Sequence, residues 1–114
     1  MAARSPAGWF PRRGDLYLVG LEKLRPAIVI SSDALNRHAL DVCVIPVTSV
    51  EHARFSLRVP LKSGEAGLKR QSWAKCDQPT TVPKDRLQFP PLGRLSAATL
   101  AGIETAIKSA LELQ

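Results

Sequence analysis

Asp15-Leu-Tyr-Leu-Val-Gly20, the short link Leu21-Glu-Lys-Leu24, and Arg25-Pro-Ala-Ile-Val-Ile-Ser31 are the stretch that decides how this chain folds. The first run is β-prone and is opened by Arg13-Gly14. The second follows after a tight connection, and its continuous β-branched core reads as a buried strand. Pro26 must then lie at the strand's beginning, where a missing N–H is tolerated.

Working outward, Ser32-Asp33 reads as an N-cap for a single helical turn ending near Arg37. Leu40 to Val47 is predicted as a third strand and Ser56 to Val59 as a fourth, with alternating polarity. Lys62 to Gly67 is a turn marked by Ser-Gly and a second Gly. Gln71 to Cys76 is a fifth strand, with Thr80-Thr-Val extending the pairing beyond it. Pro83-Lys-Asp-Arg reads as one helical turn with Pro in the first position. Leu87 to Arg94 contains two consecutive prolines, so it is extended but not central in a sheet. After the N-cap Ser96, the residues Leu100, Ile103, Ile107, Ala110 and Leu111 recur at spacings of three and four. This predicts one amphipathic helix over about 97–113. Five or six short strands and a terminal helix define a mainly β fold, a strongly bent sheet or small barrel.

At 114 residues the chain makes one domain, expected over 13–114, preceded by a weakly ordered arm over 1–12. With 45% apolar residues it can bury a small core. No apolar run reaches the roughly 18–20 residues of a membrane span. The first residues lack the apolar stretch of a secretion signal, so a cytoplasmic protein is expected. The net charge of +6 is uneven, because residues 96–114 offer only Lys108 against Glu104 and Glu112. A positive body of this kind suits a polyanion, although excess charge also serves solubility alone.

Cys43 and Cys76 lie far apart inside apolar stretches, with no C-x-x-C pair and no His at ligand spacing. They read as buried free thiols, and no metal or other cofactor is expected. The sequence contains no Gly-rich phosphate loop, no G-x-S-x-G elbow and no carboxylate cluster. His38 and His52, the only imidazoles, have polar or charged neighbours and read as solvated loop residues. A nuclease built from this chain would therefore depend on Arg, Lys, Asp and Thr.

Four segments carry a resemblance. They are Arg13-Gly-Asp-Leu-Tyr-Leu-Val19, Leu24-Arg-Pro-Ala-Ile-Val-Ile-Ser-Ser-Asp-Ala-Leu-Asn-Arg37, Val44-Ile-Pro-Val-Thr-Ser49 and Lys75-Cys-Asp-Gln-Pro-Thr-Thr-Val82. In this order and at these distances they resemble the MazF/PemK/Kid family of toxin–antitoxin endoribonucleases. The likeness runs from about Arg12 to the end. It implies an SH3-like barrel of the CcdB/PemK type with a C-terminal helix, acting as a homodimer. It also implies metal-independent, ribosome-independent cleavage of single-stranded mRNA at short motifs, and a cognate antitoxin that blocks the groove. The family's catalytic Arg falls on Arg25 and its catalytic Thr on Thr48. The Asp and the basic residue of the fourth segment fall on Asp77 and Lys75. Arg12, Arg13, Asn36, Arg37, Ser49, Gln78 and Thr80 become the expected RNA contacts.

Elementary chemistry supports these roles unevenly. A guanidinium fork suits a phosphate and its developing charge but makes a poor general base. The Thr48 hydroxyl can donate one hydrogen bond to the same oxygens. Asp77 is the acceptor by resemblance, as base or 2′-OH anchor, with Lys75 as acid or electrostatic clamp. Structural readings stand beside each role: Arg25 paired with Asp15 or Asp33, Thr48 and Ser49 ending a strand locally, Asp77 capping a turn toward Pro79. Trp73 and Tyr17 could stack on bases, with core packing the better reading, while Trp9 and Phe10 read as exposed anchors on the arm. The chain departs from the family in its short Leu21–Leu24 link and in Thr80, where many members carry Arg. Those departures leave the cleavage sequence and the proton acceptor open. Two other functions compete: a gyrase poison of the CcdB kind and a non-catalytic RNA-binding barrel.

Overall fold

The computed structural model describes residues 5–51 and 57–114; His52 and Ser56, the start of the expected fourth strand, lie outside the described residues. The elements run β1 (Asp15–Gly20), β2 (Leu24–Val29), α1 (Asp33–His38), β3 (Asp41–Thr48), β4 (Arg58–Leu61), β5 (Ser72–Lys75), β6 (Thr80–Pro83), β7 (Leu87–Arg94) and α2 (Ala97–Leu111). The strands pair antiparallel in the order β4-β5-β3-β2-β1-β7, and β6 also joins β3. The described residues thus form seven strands rather than the five or six expected. The difference is Thr80–Pro83, which forms its own strand against Asp41–Val44 instead of extending β5. The short β5–β6 turn, closed by the Gln78 N–H to the Lys75 carbonyl at 3.0 Å, lets the two strands share β3 as a partner.

Alternation along the central strands builds two cores, one on each face of the sheet. Leu16, Ile28, Ile45 and Val47 point to one face, where α2 covers them through the fully buried Ile103 and its partly buried neighbours Leu100, Ala106 and Ile107. Tyr17, Val19, Ala27, Val29, Val42 and Val44 point to the other, closed by Val82 and Leu87. A strand buried on both faces needs no polar alternation, which explains the unbroken Ala27-Ile-Val29 run.

β7 shows how the sequence handles its prolines. Its register with β1 shifts between Leu16↔Gly93 and Leu18↔Gln88, so Phe89-Pro-Pro-Leu92 falls in the irregular part. There the missing proline N–H groups cost no ladder bonds. Pro83 closes β6 as the cap before a 3₁₀ turn at Lys84–Arg86, one position earlier than expected. Helix α2 stops at Leu111, short of the predicted 113. Glu112 adopts a left-handed cap (φ 55°) whose N–H bonds the Lys108 and Ser109 carbonyls. Leu113 beyond it is exposed and meets no core that would reward another turn.

The expected arm over 1–12 is corrected in its last residues. Trp9 packs edge-on against Tyr17 and Phe89, both at 5.8 Å, and Pro11 is fully buried. Trp9 is therefore no exposed anchor but part of the second core. Arg13 ties this entry to the terminal helix, bonding the Ile30 carbonyl at 3.0 Å and pairing with Glu104. Cys76 is buried with its thiol pushed up to about 11 by desolvation, whereas Cys43 is only half-buried because its strand position opens toward solvent.

Tyr17 is the chain's one tyrosine, and burial, helped by the Asp15 carboxylate, raises its phenol to about 12. The unfolded phenol ionises near ~10, so above that pH the folded state holds more protons than the unfolded one. Stability is then insensitive to Tyr17 below pH ~10 and falls as pH climbs toward 12. Ultraviolet absorbance of the phenolate should show a single transition near the raised value in native protein and near the ordinary value in denaturant.

Candidate active site

The pairing of β2 with β3, Ala27↔Pro46, Ile28↔Ile45 and Val29↔Val44, sets the geometry of the site. The pairs end at Ala27↔Pro46, and just beyond them Arg25 and Thr48 both line one groove. Arg25 also faces Val19 on β1, and Thr48 faces Trp73 on β5. The end of the sheet therefore carries two cross-strand pairs, Val19 with Arg25 and Thr48 with Trp73. A groove of about 400 Å³ opens at this end, lined by Arg25, Thr48 and Ser49 together with Leu18, Leu24, Pro26, Val47 and Leu92.

Thr48 is only 8% exposed, and its Oγ1 accepts the Val50 N–H at 3.1 Å. This local bond ends the strand, as one reading of the sequence expected, and it also leaves the hydroxyl proton free to donate. Arg25 is half-buried and does not pair with either proposed acid. Asp15 binds Arg94 at 2.7 Å, and the Asp33 carboxylate accepts the Arg13 N–H at 2.7 Å. That backbone bond is the main cause holding the Asp33 carboxyl below its usual range.

The other expected residues separate into groups. Ser49 is exposed on the groove wall. Lys75, at the end of β5, lies two positions beyond Trp73, so it is a diagonal cross-strand neighbour of Thr48. Asp77 and Gln78 are exposed in the β5–β6 turn, and the Thr80 hydroxyl donates to the Gln78 carbonyl at 3.0 Å. None of these four lines the groove. Arg12 and Arg37 lie at the opposite end of β2, their guanidinium groups over the Phe10 ring at 5.1 and 5.6 Å.

Two expectations are corrected. Asn36 is completely buried; its amide nitrogen donates to Ser31 O at 2.9 Å and Asp33 Oδ1 at 3.3 Å, and its oxygen accepts from Ser31 Oγ. An amide so engaged holds α1 to the strand ends and offers nothing to a ligand. Arg13 is likewise committed to Ile30 and Glu104.

The groove also contains residues that sequence reasoning passed over. Lys23 enters from the three-residue β1–β2 turn, and Lys69 and Arg70 from the segment before β5. The available signal was the dibasic Leu68-Lys-Arg70 just after Gly64 and Gly67. Those glycines are required. Gly67 has φ +82°, and a Cβ there would overlap the Leu92 carbonyl; a Cβ on Gly93 would overlap the Ala66 carbonyl. Backbone thus meets backbone where the Glu65–Gly67 turn lies on β7. Gly93→Ala should cost about 1–3 kcal/mol in chemical denaturation, because overpacking here displaces main chain rather than a flexible side chain.

A small antiparallel barrel with a terminal helix and an Arg–Thr groove defines the class of toxin barrels, and the comparisons agree. Residues 12–111 match the PemK-like, MazF-like toxins of type II toxin–antitoxin systems. The chain belongs to this family. It is 33% identical to the endoribonuclease MazF9 of Mycobacterium tuberculosis, over 90% of this chain and 97% of that one. A mycobacterial endoribonuclease solved in complex with its cognate antitoxin superposes with a TM-score of 0.81 at 30% identity, covering 91% of this chain and 97% of the other. The Mycobacterium tuberculosis toxin MazF-mt6 gives 0.79 at 26% identity, over 88% and 98%.

Proposed function

We propose that this family member is an endoribonuclease toxin that cuts single-stranded mRNA at short sequence motifs, independently of the ribosome and of metal ions. The observation that supports this reading is that Arg25 and Thr48 line one groove. Among the described residues the groove's lining includes Lys23, Arg25, Lys69 and Arg70 and no carboxylate or imidazole, a set that attracts phosphate and repels a divalent cation.

In the proposed reaction the ribose 2′-oxygen attacks the adjacent phosphorus and the 5′-oxygen leaves. The products carry a 2′,3′-cyclic phosphate and a 5′-hydroxyl. Arg25 holds two non-bridging oxygens through its fork as charge builds on the phosphorane, and Thr48 donates to the same group. Lys75, diagonal to Thr48, is assigned to the leaving oxygen, and Asp77 to the 2′-OH. The protein is further proposed to act in the cytoplasm as a homodimer, held inactive by an antitoxin of its own. A CcdB-like gyrase poison needs no Arg–Thr pair in a cationic groove, and a non-catalytic RNA barrel needs no buried Thr48.

Purified protein should cleave a mixed single-stranded RNA in EDTA and leave cyclic-phosphate and 5′-hydroxyl ends. Arg25→Ala should lower kcat by about 10²–10³ with unchanged circular dichroism, and Arg25→Lys should recover only part of it. RNA binding with no cleavage would favour the non-catalytic barrel, and gyrase-linked DNA breaks in cells the CcdB-like one.

A further inference from the structure

The segment carrying Lys69 and Arg70 has a fixed backbone and uncommitted side chains. The Lys69 carbonyl accepts Ser63 Oγ at 3.1 Å, and the Arg70 carbonyl accepts the nearly buried Ser72 Oγ at 3.0 Å. The Gly64 N–H bonds the Leu68 carbonyl at 2.7 Å, and Leu68 itself is anchored in the first core, 6% exposed. The contact of Gly67 with Leu92 holds the segment's start against β7. Five constraints thus converge on a stretch whose two cationic side chains are exposed and, among the described residues, form no ion pair.

Surface cations that serve solubility do not require such support. These two also share their groove with Lys23 and Arg25, and among the described residues no carboxylate lines it. Like charges gathered around one groove repel each other in the free protein, and an anion that bridges them reverses that sign. Leu18, Leu24, Pro26, Val47 and Leu92 supply the apolar part of the same lining. Cationic and apolar groups in one groove match an unpaired strand, whose phosphates meet the cations and whose base faces meet the apolar side chains.

We infer that Lys69 and Arg70 form a phosphate-binding wall that positions the single-stranded RNA across Arg25 and Thr48, without touching the reacting phosphate. This rests on the RNA-cutting reading above and assigns the wall to substrate binding rather than to the chemical step. A duplex cannot press its bases to the apolar side chains, so the wall also selects for unpaired substrate.

The test compares wild type with Lys69→Ala, Arg70→Ala, the double variant and Lys69→Arg, on an unstructured RNA bearing one cleavage site. Each alanine variant should raise KM about five- to tenfold while kcat stays near wild type, because charge-assisted contacts made equally to substrate and transition state act on KM. The dependence of log(kcat/KM) on log[salt] should flatten by about 0.7 per cation removed, the single-strand value. Lys69→Arg should behave like wild type. An unchanged KM and salt slope in the double variant would overturn the inference. So would a fall in kcat at constant KM, or an unchanged KM with lost affinity for a poly-glutamate peptide. A wild type that does not cut RNA would contradict the proposed function instead; binding of an all-deoxy strand of the same sequence then reads the salt slope separately.

Discussion

The pairing of Ala27, Ile28 and Val29 with Pro46, Ile45 and Val44 is the constraint from which the rest of the molecule follows. Both strands are buried on both faces, so a slip of one residue would exchange the two cores and strand their shapes against the wrong partners. Just beyond these pairs, Arg25 and Thr48 line the same groove. Groove geometry is therefore not a separate achievement of loops but a consequence of core packing several residues away. That arrangement suits a phosphate site, which needs donors held in place before the ligand arrives. It also explains how a chain with a three-residue β1–β2 turn can dispense with a long loop and still build a groove.

Most of this order could be read from the sequence, and for definite reasons. The β-branched run after Pro26, the Ser32 and Ser96 caps and the spacing of Leu100, Ile103 and Ile107 are local signals, and local physics decides those elements. Thr80–Pro83 was harder. Whether it extends β5 or forms β6 depends on β3 having a free edge there, and no neighbouring residue reports that. Asn36 failed similarly: beside Arg37 it reads as a polar surface residue, and only the Ser31 and Asp33 bonds show it to be buried. Arg13 looked like a free cation because its partner, Glu104, is distant in sequence. The Trp9–Tyr17–Phe89 cluster is a long-range contact of the same kind.

The site divides along the same line. Arg25 and Thr48 were singled out through motif resemblance, and both line the groove. Lys23, Lys69 and Arg70 were not, because their significance lies in which way a turn folds back over the sheet. Lys75 and Asp77 fall between: the register brings Lys75 diagonal to Thr48, while Asp77 stays in an exposed turn. The groove thus gathers Arg25 and Thr48, while the residues proposed for proton transfer lie outside its lining.

We propose that Arg25 and Thr48 act as one unit in the groove they share. A double-mutant cycle on kcat for a single-site RNA, with Arg25→Ala, Thr48→Ala and the pair, tests it most directly. The account predicts strong coupling, with the double variant no slower than Arg25→Ala alone. Rate losses that multiply independently would contradict it.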